Sequence, residues 1–298
     1  MKKISCLLLA MLMLLSFAAC GEKDNGGNAA TATPDTEQTT APDAGNDAEN
    51  TAEPTDDNTA AEGGKLIYAT SADYPPFEFI YVDDEGNQQY AGIDVFLAQK
   101  IADDMGKELQ VLNMSFDSLM AALQKGDADI VIAAVEDTEE RRVAADFSDP
   151  YYTDYPPMIL VKAENAANYT SLEDFSGKSV GAQTGTTKAD IVNEQMTGAN
   201  LVALTTVTDL VNELVYDKCD AIVLDGAVAM QYAASNSDLV VSDVSLGDAY
   251  PYCVAVQKGD PSGLLESINA TIAAATGDGT MEGWIEQANT LADQSVEG

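Results

Sequence analysis

The only two arginines of the chain stand side by side, as Arg141 and Arg142, in the stretch "EDTEERRVAADFSDPYY". The chain is otherwise strongly acidic, with 50 Asp and Glu residues, 14 Lys and Arg residues and a formal net charge of −36. The ordinary explanation for a lone arginine in such a chain is a surface or structural ion pair. Two neighbouring guanidiniums are nevertheless unusual in so acidic a chain, and they are the first candidates for functional residues.

Other kinds of chemistry are made improbable by what the sequence lacks. It contains no histidine, which is the commonest general base and a common metal ligand. Triad hydrolysis and histidine-ligated zinc are therefore not expected, and no metal or cofactor is predicted. The acidic excess argues against nucleic acid as a partner, since binding it requires Lys and Arg to neutralise phosphates.

The N-terminal segment "MKKISCLLLAMLMLLSFAAC" is typical of an export signal, with two lysines, an apolar run and small residues before Cys20. We predict a lipoprotein signal peptide over residues 1–20, with Cys20 lipidated as the mature N-terminus on the outer face of the cytoplasmic membrane. The alternative is cleavage after Ala19 that leaves a free N-terminal cysteine. The apolar run is too short for a membrane-spanning helix.

Residues 21–64 contain no Val, Ile, Leu or aromatic residue. Such a segment cannot bury enough apolar surface to offset its ordering entropy. We predict a disordered acidic tether with an end-to-end distance of roughly 35 Å, which would hold the globular part near a membrane.

Strand and helix patterns alternate from Lys65 onward, which favours parallel sheets with helices on their faces. The first unit comprises "KLIYAT", a hairpin in "FEFIYVDDEGNQQY", the helix "IDVFLAQKIADDMG", the strand "LQVLNM", the helix "FDSLMAALQKG" and the buried strand "ADIVIAAV". The second unit comprises "KSVGAQ", "TTKADIVNEQM", "LVALTT", "VTDLVNELVYDK", "DAIVLD", "GAVAMQYAAS" and "DLVVS".

Two units of similar order predict an α/β protein with two lobes. Lobe one is expected over residues 65–155 and lobe two over residues 156–250, and residues 251–298 return to lobe one and end in helices. Extended runs in "YYTDYPPMILVK" and "AYPYCVAVQK" would be the two crossings. A cleft between two lobes is a common place for a ligand.

Six motifs in order resemble the polar amino-acid binding proteins of bacterial ABC importers. They are "ATSADYPPFEF", the run from "GIDVF" to "DIVIAA", "TEERRVAADFSDPYY", "VGAQTGTT", "CDAIVLD" and "DGTMEGWIEQ". The resemblance implies a type II periplasmic-binding-protein fold in which two α/β lobes are joined by two crossover strands. It implies a usually monomeric, non-enzymatic receptor that delivers a free amino acid to an ABC permease driven by its ATPase.

The resemblance also implies roles for individual residues. The arginine of the family's T-x-x-R motif corresponds to Arg141, which would grip the ligand's α-carboxylate through two hydrogen bonds. The G-T-T motif corresponds to residues 185–187, so Thr186 and Thr187 would meet the same carboxylate at a helix start. The remaining implied contacts are Asp225 and the backbone of Ala134 for the α-ammonium, Tyr74 and Phe116 for the ligand side chain, and Gln183 as a weaker candidate.

Glu136 is the departure from the family pattern, because members often have Ser or Thr two residues before the motif threonine. A carboxylate facing the ligand would favour a cationic or amide amino acid over an acidic one. The equally open alternative is that Glu136 turns to solvent or pairs with a nearby Lys or Arg.

Several neighbouring residues have simpler expected roles. Arg142 is expected to pair with a local acid such as Glu139, Glu78 to be structural, and Asp94 to be a helix N-cap. Cys219 and Cys253 are expected to be separate buried thiols, although a disulfide is possible outside the cytoplasm.

Two other functions stay open from the sequence. Some relatives with this fold are dehydratases, and Glu136 could act as a general acid or base if its pKa were raised. A sensory amino-acid receptor is the other alternative.

Overall fold

The computed structural model describes residues 64–295. The predicted signal peptide with Cys20, and the predicted tether up to residue 63, lie outside the described residues. Among the described residues, none of the helices combines the length and the apolarity needed to cross a membrane.

Short strands alternate with helices through the described range. The strands, in chain order, are β1 (Lys65–Thr70), β2 (Asp73–Tyr74), β3 (Glu78–Val82), β4 (Gln88–Ala91), β5 (Glu108–Asn113), β6 (Ile130–Val131), β7 (Ala145–Phe147), β8 (Tyr152–Thr153), β9 (Met158–Lys162), β10 (Ser179–Gln183), β11 (Asn200–Leu204), β12 (Ala221–Leu224), β13 (Leu239–Val241), β14 (Pro251–Tyr252) and β15 (Ala255–Gln257). The α-helices are α1 (Ile93–Asp104), α2 (Phe116–Lys125), α3 (Thr187–Gln195), α4 (Val207–Val215), α5 (Gly226–Ser235), α6 (Leu265–Gly277) and α7 (Thr280–Ser295).

The first five-stranded sheet has the order β5-β1-β6-β15-β7. Strand β1 is parallel to both β5 and β6, as the βαβ pattern predicts. Strand β15 comes from the end of the chain and runs antiparallel to its neighbours. Helices α1, α2, α6 and α7 pack with these strands or with each other. A three-stranded sheet, β2-β3-β4, packs on α1 and α7. We call the two sheets and these helices lobe one.

The second five-stranded sheet has the order β11-β10-β12-β9-β13. Strand β10 is parallel to β11 and β12, whereas β9 runs antiparallel to β12 and β13. Helices α3, α4 and α5 pack on this sheet, and we call the assembly lobe two.

The chain crosses between the lobes twice, and the two crossings pair with each other. Strand β8 lies on the first crossing and β14 on the second, and they are antiparallel, with Tyr152 opposite Tyr252. The ring of Phe77 packs edge-on against both tyrosines, with centroids 5.2 Å away in each case. The joint between the lobes therefore has its own apolar packing.

One predicted strand is much shorter than expected. The apolar run "ADIVIAAV" suggests a continuous buried strand, but only Ile130–Val131 joins the ladder as β6. The chain then leaves the sheet, and Ala134 takes a left-handed conformation with φ of +46°. The run is apolar because residues 130–135 are all buried, whether they pair or not. Cys219 and Cys253 are both buried, free thiols.

Candidate ligand-binding site

Residues from both lobes enclose a small cavity of about 10 Å³. Its lining comprises Tyr74, Glu78, Phe116, Ala133, Ala134, Glu136, Gln183, Thr186, Lys188 and Asp225. All the predicted contact residues except Arg141 and Thr187 are in this lining, and both of these bond to Glu136 at its edge.

Arg141 lies between the lobes. Its backbone N–H donates to Thr138 Oγ1 at 3.2 Å, so the motif threonine fixes the start of the short helix Arg141–Val143. Its Nη1 donates to the Glu136 carbonyl at 3.0 Å, and Nη2 donates to the Gly185 carbonyl of lobe two at 3.4 Å. The guanidinium carbon stands 5.4 Å from the centre of the Phe116 ring. With a side chain only 11% exposed, Arg141 is a cleft residue.

Arg142 points away from the cleft and is 60% exposed. Its expected pairing with a local acid is confirmed, and the acid is Asp137 rather than Glu139, because Nε and Nη2 donate to the two carboxylate oxygens of Asp137 at 2.6 Å each. Arg142 itself lies in the single 3₁₀ turn Arg141–Val143. The two arginines thus have different environments.

Glu136 is buried inside the cleft and paired. Its carboxylate accepts hydrogen bonds from Thr187 Oγ1 at 2.7 Å and from Lys188 Nζ at 3.0 Å. Arg141 Nη1 lies 3.4 Å from the same carboxylate. Burial by itself would raise the pKa of Glu136, but the Lys188 and Arg141 charges outweigh it and lower that pKa below its ordinary value.

Lys188 is a site residue that the sequence reasoning missed. Its Nζ lies 3.0 Å from Glu136 Oε1 of lobe one and 2.7 Å from Asp225 Oδ1 of lobe two. Burial opposes its charge, yet the Asp225 and Glu136 carboxylates raise the pKa of Lys188 above its ordinary value. A signal was present in the sequence, because a lysine directly after "GTT" puts a cation at a helix N-terminus, where the dipole disfavours it.

Asp225 follows β12 and precedes α5. It stands at the N-cap position, but its side chain makes no capping bond, so its carboxylate is free to bond with groups in the cleft. Its Oδ2 accepts a hydrogen bond from the Tyr74 hydroxyl of lobe one at 2.7 Å. Tyr74 is therefore a polar bridge between the lobes as well as an aromatic wall.

The next residue, Gly226, allows α5 to approach the first crossing very closely. A Cβ added at Gly226 would lie 2.5 Å from Tyr155 Cβ and 2.7 Å from the Pro156 carbonyl oxygen. Asp154, on the same crossing, accepts the Ala227 N–H at 3.3 Å. The start of α5 is thus fastened to the crossing.

The remaining predicted polar residues are bonded within lobe two. Thr186 is the N-cap of α3 and accepts from the Ala189 N–H at 3.4 Å, while its hydroxyl donates to the Gln183 carbonyl at 2.7 Å. Gln183 Nε2 donates to the Thr205 carbonyl at 3.0 Å. Both side chains reach the cavity wall and fix the shape of the helix start.

The N-cap prediction for Asp94 is wrong, since Gly92 occupies that position. Asp94 is fully buried and accepts hydrogen bonds from the Ala134 N–H at 2.8 Å and the Tyr151 hydroxyl at 2.7 Å. Burial raises its pKa to about 6. The carboxylate therefore holds the strained backbone of Ala134 beside the cavity.

Glu78 lines the cavity, and its carboxyl shares a hydrogen bond with that of Asp94. Its Oε2 is buried and has no hydrogen-bond partner among the described residues. Burial, followed by the charge of Asp94, raises the pKa of Glu78 well above its ordinary value. A buried, unpaired carboxyl oxygen is costly, so its position at the cavity wall suggests a role in recognition.

The sequence from residue 66 to residue 288 matches the family model of the bacterial extracellular solute-binding proteins, family 3. The chain belongs to this family. The prediction from the sequence motifs is therefore confirmed, and it places this family 3 protein among the extracytoplasmic solute receptors of ABC importers.

Curated relatives are similar over most of the domain. The arginine-binding extracellular protein ArtP of Bacillus subtilis is 35% identical over 232 residues, covering 76% of this chain and 87% of ArtP. The ABC transporter glutamine-binding protein GlnH of the same organism is 26% identical over 285 residues, covering 94% of each chain.

Solved structures confirm the predicted type II periplasmic-binding-protein fold. The amino acid ABC transporter substrate-binding protein AbpA of Streptococcus pneumoniae, bound to L-arginine, has a TM-score of 0.73 at 34% identity, covering 77% of this chain and 96% of AbpA.

Proposed function

We propose that this family 3 protein captures a free cationic L-amino acid of the arginine type between its lobes and delivers it to an ABC permease. The supporting observation is that a guanidinium, Arg141, and a carboxylate, Asp225, approach one enclosed space from opposite lobes. These are the charges that complement the carboxylate and ammonium of a zwitterion. Contacts from both lobes would make ligand binding favour closure.

Preference for a cationic side chain is supported by Glu78, because its unpaired carboxyl oxygen borders the cavity and a cation placed beside it would favour its ionised form. Tyr74 and Phe116 supply aromatic faces on the same wall, and such faces attract guanidinium and ammonium groups. The named ligands of ArtP and AbpA agree with this choice. An acidic side chain would meet the carboxylate of Glu136 and is expected to bind poorly.

Attachment to the membrane through a lipid on Cys20 belongs to the same proposal, as does action as a monomer. The signal-like segment and the apolar-poor residues 21–64 support it. Catalysis by Glu136 is not favoured, because acid catalysis would need a raised pKa and its pKa is lowered.

Calorimetric titration of the purified protein with L-arginine, L-lysine, L-glutamine and L-glutamate tests the proposal. We expect the two cations to bind most tightly. Arg141→Ala should weaken L-arginine binding by at least about a hundredfold, since removing one partner of a buried ion pair costs about 3–5 kcal/mol. Arg142→Ala, a matched surface control, should leave the affinity unchanged. Equal losses in the two variants would contradict the assignment.

A further inference from the structure

The geometry points to Glu136 and Lys188 as an interlobe latch that stands in for the zwitterionic head of an amino acid. In the proposed binding mode, Arg141 and Thr187 receive the ligand's carboxylate and Asp225 receives its ammonium. In the structure, Arg141 and Thr187 contact the carboxylate of Glu136, whereas Asp225 contacts the ammonium of Lys188. Side chains of the protein therefore take the place of both parts of the ligand's head group. Glu136 stands in for its carboxylate, and Lys188 stands in for its ammonium.

The latch spans the two lobes. Glu136 belongs to the segment that leaves the sheet of lobe one, and Lys188 lies in the first turn of α3 in lobe two. Their carboxylate and ammonium are 3.0 Å apart, with side chains 3% and 6% exposed respectively. Lys188 Nζ also lies 2.7 Å from Asp225 Oδ1, and the Thr187 hydroxyl donates a hydrogen bond to Glu136 across the cleft. Opening the lobes would separate Glu136 from both lobe-two partners.

The charges at the site already balance. Glu136 and Asp225 are negative and Arg141 and Lys188 are positive, so the four groups compensate one another before a ligand is counted. A zwitterion can bind Arg141 and Asp225 only by displacing Glu136 and Lys188 from them. The latch would therefore close the cleft without a ligand and compete with the ligand's head group.

A lysine at position 188 does not stabilise helix α3, so its presence there needs another explanation. A cation in the first turn opposes the helix dipole, and the other helices of lobe two, α4 and α5, begin without one. Burying an ammonium is costly unless carboxylates surround it. Residues that break a local rule in this way are expected at functional positions.

Small-angle scattering on ligand-free protein tests the latch directly. Bound amino acids are first removed by unfolding and refolding, and the radius of gyration is measured with and without L-arginine. We expect the wild type to be compact in both conditions. Lys188→Gln should be expanded without ligand and should contract when L-arginine is added.

Glu136→Gln removes the other half of the latch and should also expand, which guards against a misfolded Lys188 variant. Lys178→Gln is the matched control, because it removes a half-exposed pair with Asp220 within lobe two. It should behave as the wild type does. A wild type that is expanded without ligand and contracts as much as Lys188→Gln would overturn the latch.

Competition between the latch and the ligand is tested by measuring the affinity for L-arginine, and this measurement rests on the proposed function. The variant with both Glu136→Gln and Lys188→Gln should bind L-arginine at least about tenfold more tightly than the wild type, about 1.4 kcal/mol. Unchanged or weaker binding by this variant, with its circular dichroism and Tm preserved, would overturn the competition. If neither protein binds any amino acid, the proposed function fails, and the radius of gyration still decides whether the latch exists.

Discussion

The two buried cations of the cleft differ in how completely they are bonded. Lys188 makes two short contacts with carboxylates, whereas Arg141 makes one hydrogen bond of 3.0 Å and two of 3.4 Å. A guanidinium carries five N–H donors, so Arg141 can keep its contacts with the Glu136 and Gly185 carbonyls while it exchanges the Glu136 carboxylate for that of a ligand. Lys188 has far less to offer a ligand. This contrast is why we assign ligand recognition to one cation and latching to the other.

Glu78 offers a test of the ligand's side chain. Because a guanidinium beside its unpaired oxygen would favour the ionised form of Glu78, Glu78→Gln should weaken L-arginine binding by about tenfold or more while changing L-glutamine binding much less. The measurement is calorimetry with both ligands. Glu85→Gln, on an exposed turn, is the control. If both ligands weaken by the same factor, the carboxyl has a structural role only.

At the scale of elements, the two-residue strand β2 contributes two hydrogen bonds between the lobes. Tyr74 bonds to Asp225, and Asp73 Oδ2 accepts the N–H of Val207, the first residue of α4, at 2.6 Å. A carboxylate at a helix N-terminus satisfies a free N–H and complements the helix dipole. The side chain of Asp73 therefore docks a helix of the opposite lobe.

Removing this docking contact should weaken ligand binding from a distance. Asp73→Ala loses a helix-capping interaction of about 1–2 kcal/mol that exists only when the lobes meet. We expect L-arginine affinity to fall by about 5–30-fold, as measured by calorimetry. Asp84→Ala removes an exposed acid of lobe one and should have no effect. Equal affinities in the two variants would show that α4 closes without help from Asp73.

At the scale of the whole molecule, three carboxyls among residues 64–295 have a pKa of about 6, raised in each case chiefly by burial. They are Asp73, Asp94 and Asp154. The folded state therefore binds more protons than the unfolded state between about pH 4 and 6. Their contribution to stability grows as the pH falls through this window and is lost as the pH rises through 6. Glu136 acts in the opposite sense, because its pKa is lowered and its contribution disappears only in stronger acid.

We therefore expect the free energy of unfolding to be greatest near pH 5 rather than at neutral pH. Urea denaturation between pH 4 and 8 measures it. Relief of the general negative charge acts in the same direction, so Asp154→Asn separates the two causes by flattening the rise between pH 7 and 5. Asp84→Asn should leave the rise intact. Stability that increases steadily from pH 5 to 8 would contradict this account.

The fold was predictable to the extent that local pattern decides it. Alternating strand and helix signals predict the parallel pairing in both lobes, and the Thr138 motif marks Arg141. Lys188 and Asp94 could not be assigned in this way, because their partners lie far along the chain. Lys188 needs both Glu136 and Asp225, and Asp94 meets Ala134 only after the sheet has formed. Periodicity also cannot tell a paired strand from an irregular buried run, which is why β6 is shorter than predicted.

Because Gly226 has no side chain, the backbone of α5 packs directly against the first crossing. A change in the bend of the first crossing would therefore displace the backbone of Gly226, which is next to Asp225. The first crossing thus packs directly against the residue that follows Asp225, the proposed partner of the ligand's ammonium. In the proposed binding mode, a movement of the first crossing would therefore shift the carboxylate that receives the ligand's positive charge.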